Sequence, residues 1–440
     1  MQIIRTKYYI VKLITLLSLF LYLFPFQFRF FPLSNVRILQ ILGLIGLFIY
    51  IIRKGKMFVK ILYFNRFGIY LFFIGIVFTC IINHSYQINF ALTKGLYIIL
   101  YSCSAFFIVY LMKKAYNPFT PIKALEAVVW VTLFQAIISL LFFCYPYILE
   151  FYNNLVYIDD SNIEKNEMLN SFRLVGVGSV QFANAAVHYG LSLWILIVLY
   201  LSKDSILYNK SWVLCIVGPL FCICGILSAR TFFVMLLFTI FFVYYLLGNS
   251  KKLQVLGIVI KLFFPLFIIG IIIMTYLKAI GSDFIVEWVL ELFVNINDGG
   301  EIETASTNEL KEMYIWPSSI KTWLCGDGMS QNEYGGFYMD SDVGYIRSLY
   351  YWGIIGSFFY YYFQIKYASI LKKSYYDIRI IRFINMILIW FFLYSLKEFW
   401  TVEPYWVLLL FIALFSNQSK KAECNGNYSI LSSSISSDPA

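Results

Sequence analysis

The chain has 440 residues, of which 61% are hydrophobic, 20% aromatic and only 13% charged, with a formal net charge of +10. Soluble domains carry roughly 25% charged residues, so water is not the main solvent of this chain. The positive balance sits in short loops between apolar blocks and not on one contiguous basic surface, which argues against nucleic acid as a partner.

The apolar blocks recur at about 20 residues, the length that crosses roughly 30 Å of hydrocarbon, and predict about twelve transmembrane helices. In chain order they lie near residues 8–24, 36–52, 67–82, 95–112, 123–143, 182–201, 212–227, 231–247, 255–276, 346–365, 380–396 and 404–416. The first follows Arg5 and Lys7 as a signal peptide would, but no small-residue cleavage site comes after it, and Pro25 to Asn35 leads into the second block as a helical hairpin. Arg53, Lys54, Lys56, Lys60, Lys113, Lys114, Lys251, Lys252, Lys372, Lys373, Arg379 and Arg382 all fall on one side. The positive-inside rule assigns that side, with both termini, to the cytoplasm. The expected fold class is an all-α integral membrane protein, with a membrane domain over residues 1–420 and a polar, Ser-rich, disordered cytoplasmic tail over 421–440.

Two loops on the outer side are long, residues 144–181 and 277–345. In the second, Asp283, Glu287 and Glu291 at spacing four share one helical face of Ser282 to Asn295, with Phe284, Trp288 and Leu292 on the rest, as in a helix lying along a membrane surface. Ser306-Thr307-Asn308-Glu309 is a capping-box pattern that opens a second short helix toward Pro317, and residues 326–344 are Gly-rich. The cysteines lie mostly inside apolar blocks, and Cys222 and Cys224 have neither zinc nor redox spacing. Cys144 and Cys325 are the two placed on the outer face; neither a disulfide scaffold nor a metal site is indicated.

An ionisable residue at membrane depth costs roughly 2.5–3.5 kcal/mol, so cations at helix ends need a reason. Arg230, in Ser228-Ala229-Arg230-Thr231, sits between two apolar blocks with almost no loop around it. Its guanidinium either binds a lipid-linked pyrophosphate bidentately or snorkels to lipid phosphates as an anchor. Arg173 precedes Gly176 and Gly178 where the first long loop returns to the membrane. Those glycines either let backbone approach a ligand or form a plain re-entry turn. Gly326-Asp327-Gly328 and then Asp340-Ser341-Asp342-Val343-Gly344-Tyr345-Ile346-Arg347 bring carboxylates, a tyrosine and an arginine to the mouth of a helix, where a carboxylate can serve as general base. Asp340 and Asp342 also spell the D-x-D of metal-dependent transferases, but the pattern is common in acidic loops and no metal is assigned. His84 reads as a solvated loop residue and His188 as a core hydrogen-bonder; Lys397, Glu398 and Glu403 mark an interface, with Lys397 also able to add positive charge to a phosphate site. The aromatic residues are chiefly lipid-facing, and those near the outer loops can also stack on sugar rings.

In this order and on this side, the motifs resemble those of the Wzy-type polysaccharide repeat-unit polymerases, relatives of the O-antigen ligases. They are Arg-x-x-Gly (Arg173, Gly176), Ser-x-Arg-Thr (Ser228, Arg230, Thr231), Gly-x-Gly (Gly326, Gly328) and Asp-x-Gly-Tyr-x-Arg (Asp342, Gly344, Tyr345, Arg347) running into Tyr351 to Gly356. The resemblance covers most of the chain. It implies a GT-C-like, metal-independent and cofactor-free inverting glycosyltransferase of a bacterial cytoplasmic membrane. Its substrates would be undecaprenyl-pyrophosphate-linked oligosaccharides, its surroundings membrane lipids, and its partner a polysaccharide chain-length regulator. By motif, Arg173 and Arg230 would bind pyrophosphate and stabilise the leaving group. Asp340 or Asp342 would act as base, Tyr345 and Arg347 would position substrate or pin the loop, and Lys397 and Lys321 would supply further cations. The related ligases carry a histidine in the large loop and this chain has none there, which favours a polymerase. Two rivals remain: a flippase for the same lipid-linked oligosaccharide, which usually has short loops, and a polyprenyl-phosphate-sugar transferase, whose first outer loop carries acids that Pro25 to Asn35 lacks.

Overall fold

The computed structural model describes residues 2–53, 56–157, 173–178, 182–248, 251–279, 291, 305–333 and 335–416. The helices are α1 (Gln2–Leu23), α2 (Asn35–Arg53), α3 (Lys56–Ile76), α4 (Asn89–Ala115), α5 (Pro121–Cys144), the short α6 (Pro146–Leu155), α7 (Phe182–Tyr200), α8 (Val213–Ser228), α9 (Phe232–Leu247) and α10 (Lys252–Ala279). After them come the short α11 (Ala305–Glu312) and α12 (Ile320–Cys325), then α13 (Gly344–Ser374), α14 (Ile378–Tyr394) and α15 (Glu403–Ser416). Among the described residues, extended pairing is confined to two isolated bridges, Phe28 with Val156 and Gln331 with Phe337. Among the described residues, six helices are long and apolar enough to cross a membrane: α2, Val59–Ile82 through α3, α4, α5, α7 and Lys252–Thr275 in α10. The protein is all-helical and membrane-embedded.

Local chemistry sets the helix ends. Thr120 caps α5, its hydroxyl accepting from Lys123 N at 3.3 Å, and Pro121 takes the first turn, where its missing N–H costs nothing. Asp377 caps α14 by accepting from Arg379 N at 2.9 Å, and α9 stops at Gly248 with φ +74°. Two helices overrun the lengths expected from hydropathy. α3 begins at Lys56 and not near 67, because Lys and Met are good helix formers and Arg66 lies over the Tyr63 ring at 3.8 Å. α13 continues past residue 365 to Ser374 through Lys366, Lys372 and Lys373, whose stems propagate a helix while their heads leave the apolar zone.

Burial separates inner from outer helices. α7 is enclosed over Leu191 to Tyr200 and α15 over Trp406 to Phe415, whereas α2 exposes Leu44, Phe48 and Ile52 and α10 exposes Phe264, Phe267 and Ile272. An exposed apolar belt of this kind is stable against hydrocarbon. Two helices and the link after α13 hold α15 through polar contacts. Tyr22 of α1 donates to Pro404 O at 2.8 Å, Trp406 Nε1 donates to Gln364 Oε1 of α13 at 2.9 Å, and Tyr375 beyond α13 donates to Leu409 O at 2.6 Å.

In the large loop the second short helix is present as α11, which starts at Ala305, ahead of Ser306, and ends at Glu312 short of Pro317. The surface helix expected over Ser282 to Asn295 lies outside the described residues except for Glu291, as does the tail from 421. Cys144 and Cys325 are free thiols.

One glycine shapes the loop's seat. α13 is kinked at Gly353, where φ is +65° and a Cβ would come within 2.2 Å of Leu324 O and 2.4 Å of Cys325 N. The end of α12 therefore lies in the bend of α13. Gly353→Ala is expected to cost about 1–3 kcal/mol or more, for strained backbone plus overlap. It should lower the melting temperature of the detergent-purified protein, whereas Gly270→Ala, with open space around it, should not.

Candidate functional site

Hydrogen bonds between distant segments gather the loops at one end of the bundle. The α1–α2 loop pairs with the end of α6, Arg29 N donating to Leu155 O at 2.9 Å and Tyr157 N to Gln27 O at 2.8 Å. Gln87, between α3 and α4, accepts from Ser330 N at 2.8 Å and Gln331 N at 2.9 Å. Tyr345 N donates to Ser395 O at 3.1 Å, joining the start of α13 to the turn between α14 and α15.

Residues 173–178 thread into this end as extended chain. Leu174 N donates to Leu227 O at 3.0 Å, Gln135 Nε2 to Val177 O at 3.2 Å, and Gly178 N to the Tyr152 hydroxyl at 2.8 Å. A Cβ on Gly176 would fall 2.1 Å from Gln135 Nε2, and one on Gly178, with φ +97°, 2.7 Å from Pro25 O. The glycines thus admit α5 and the end of α1, as in the re-entry turn that was one of the two readings of this segment. What they achieve is placement of Arg173, whose guanidinium lies 5.4 Å from the Phe182 ring centre.

Arg230 follows the end of α8, where Ala229 turns extended and Ser228 is anchored to Cys224 O at 2.7 Å. It forms an ion pair with Glu291 of the large loop. Burial and Arg230 together lower the Arg173 pKa from the usual arginine value. Burial lowers Lys397 most, and Arg173 and Arg230 push it the same way, against Glu398 and Asp342. Three cations from the α7 lead-in, the α8–α9 turn and the α14–α15 turn therefore share one electrostatic neighbourhood. Arg347 adjoins it, since Asp342 and Glu398 act on its charge too, and its guanidinium lies 3.7 Å from the Phe337 ring centre. Behind it, buried Lys94 donates to Thr401 Oγ1 at 2.8 Å beneath Phe399.

The glycine of Asp-x-Gly-Tyr-x-Arg explains how these groups meet. A Cβ on Gly344 would lie 2.9 Å from Glu398 O and 3.0 Å from Ser395 O, so only glycine lets the start of α13 touch the α14–α15 turn. Asp342 and Arg347 are thereby brought to Glu398, whose Oε2 accepts from Tyr394 at 2.7 Å. Burial holds the Glu398 carboxyl above the usual glutamate range, and Asp342 adds to this while Tyr394, Lys397 and Arg347 oppose it. Sequence reasoning read Glu398 as an interface marker; a Lys-Glu pair at a helix end carries no signal of what folds against it.

The other expected residues take different places. Asp340 is exposed in the left-handed region, φ +48°, and accepts from Asn332 Nδ2 at 3.0 Å, so Asp340 and Asp342 do not act together. Lys321 is exposed on α12. Tyr345 donates its hydroxyl to Phe392 O at 2.9 Å and packs on Tyr361, which makes it a pin of the loop. Asp327 accepts from Thr322 Oγ1 at 2.7 Å and closes the Gly-rich turn. His84 is exposed, and His188 Nδ1 is hydrogen-bonded to Tyr405.

The site is a half-buried group of cations among carboxylates, Glu291 and Glu309 beside the two loop arginines and Asp342 and Glu398 beside Lys397 and Arg347, suited to binding a di-anion and accepting a proton beside it. No protein-family model, curated protein or solved structure matches the chain.

The raised Glu398 carboxyl gives a pH signature. The fold tolerates its protonated form better, so its stabilising share is present below the ordinary glutamate pKa and is lost as pH rises through the raised value. Glu398→Gln, which stays neutral, should melt above wild type near neutral pH and level with it in acid. Differential scanning fluorimetry across pH would reveal this, and a constant offset at every pH would contradict it.

Proposed function

We propose that the protein is a Wzy-type polymerase of a bacterial cytoplasmic membrane, a GT-C-like enzyme with about twelve spans, its loop-rich end outside and both termini in the cytoplasm. It joins undecaprenyl-pyrophosphate-linked oligosaccharide units into O-antigen, capsule or exopolysaccharide, in company with a chain-length regulator. The observation that carries this reading is the grouping of Arg173, Arg230 and Lys397, with Lys397 and Arg347 facing Asp342 and Glu398. Cations and carboxylates gathered at one end of a helical bundle fit a lipid-linked pyrophosphate at headgroup depth and a hydroxyl that must lose its proton.

In this mechanism Glu398, assisted by Asp342, takes the proton from the hydroxyl of the acceptor repeat unit. The oxygen attacks the anomeric carbon of the donor chain from the face opposite the leaving group, which inverts the configuration. The bond from that carbon to the pyrophosphate oxygen breaks, and Arg173, Arg230 and Lys397 hold the charge that develops on undecaprenyl pyrophosphate. Glu291 occupies on Arg230 the place that a phosphate oxygen takes when substrate binds. A flippase is the second reading, favoured by the buried Lys94 and Glu403 within the bundle.

The length distribution of surface polysaccharide, run as a gel ladder in cells lacking the protein and complemented with variants of equal expression, separates the two. Arg230→Ala and Glu398→Gln should leave a single capped repeat in place of the ladder, each slowing polymerisation about a hundredfold or more, and Arg230→Lys should restore only part of it. Loss of even the single repeat in cells lacking the protein would instead indicate a flippase or a ligase.

A further inference from the structure

The cation–carboxylate site leaves one exposed cluster of the large loop unused. Between α11 and the end of α12, Tyr314, Trp316 and Trp323 form a run of rings. Tyr314 and Trp316 lie 6.3 Å apart between centroids, and Trp316 stacks on Trp323 at 5.7 Å with the planes only 6° apart. The Trp323 indole N–H donates to Pro317 O at 2.8 Å, which fixes that plane. Trp316 has one face covered by Trp323 and is still 58% exposed, so its other face is bare. At its near end the run is tied to the site: the Tyr314 hydroxyl donates to Leu396 O at 2.5 Å, in the turn that carries Lys397 and Glu398. Glu312, Ser318, Ser319 and Lys321, neighbours of the rings along the chain, are exposed.

A flat, immobilised, open indole face with exposed hydroxyl and charged side chains next to it along the chain matches one ligand chemistry. The C–H face of a pyranose ring covers the indole, and its ring hydroxyls meet the flanking donors and acceptors. A membrane anchor needs only apolar bulk, which Ile320 and Leu324 beside the rings already offer, and gains nothing from two parallel indoles held in register. We infer that Tyr314, Trp316 and Trp323 form a saccharide-binding strip that receives the sugar chain where it leaves the catalytic turn. The inference deepens the polymerase reading and rests on it for the identity of the chain.

The test uses the full-length protein with Trp316→Phe, Trp316→Leu and Trp316→Ala. Leucine keeps apolar bulk for lipid contact and abolishes the flat face; phenylalanine keeps a face. Each purified variant is titrated calorimetrically with oligosaccharide released by mild acid from the host cell's own surface polysaccharide, and each is run on the gel ladder beside Arg230→Ala. Leucine and alanine should both weaken binding by about two- to tenfold, the worth of one aromatic contact, while phenylalanine stays near wild type. On the ladder they should give shorter chains while the first joining persists. Wild-type binding and chain length in Trp316→Ala would overturn the strip. Wild-type behaviour in Trp316→Leu with loss in Trp316→Ala would overturn it in favour of a membrane anchor. If the ladder proves independent of the protein altogether, the polymerase reading falls, and the titration alone still decides whether the strip binds sugar.

Discussion

Hydrocarbon offers a polypeptide no hydrogen-bond partners, so backbone that crosses it must be helical and irregular chain must collect at the ends. Everything distinctive about this protein follows from how one end meets that constraint. Residues 173–178 enter as extended chain only because Leu227 O, Gln135 and the Tyr152 hydroxyl satisfy their backbone polar groups. The α14–α15 turn is likewise held by Tyr345 N at Ser395 O and by Lys94 at Thr401. Each of these anchors also carries or neighbours a charge, so the bonds that make the loops tolerable at this depth are the ones that assemble the cation group.

Charge placement and stability pull in opposite directions here. Burying Arg173, Arg230 and Lys397 near one another disfavours all three charges, and the carboxylates of Asp342, Glu398 and Glu291 relieve only part of that cost. Glu309 adds to that compensation for the two arginines. On the function proposed above, a lipid-linked pyrophosphate would share in it at headgroup depth.

Much of the fold was legible because hydropathy measures a real transfer energy: each apolar block became a helix, although α3 and α13 run well past the expected ends. Hydropathy could not tell which helices face lipid. α10 and α15 are both apolar all round, yet one exposes Phe264 and Phe267 while the other is enclosed, a difference made by neighbours remote in sequence. The arginines were found because a cation between apolar blocks is expensive wherever it lies. The surroundings of Glu398 and Asp340 were not legible for a shared reason: a carboxylate's environment depends on what folds over it, and Gly344 and Asn332 decide that for these two. The glycines near Arg173 show the same limit, since their close neighbours, Gln135 and Pro25, lie dozens of residues or more away in the chain.

The enclosure of α15 bears on how the bundle is made. Helices enter a membrane in the order of synthesis, so α1, α7 and α13 are in place before the helix that fits among them has emerged. Until then Gln364 and the Tyr375 hydroxyl, destined for Trp406 and Leu409 O, must face lipid or find substitute partners. Biogenesis therefore passes through a bundle with an open slot, a stage at which lipids or an insertion chaperone occupy the space that α15 later claims. Folding of the turn that joins α14 to α15 can be completed only when that occupant leaves.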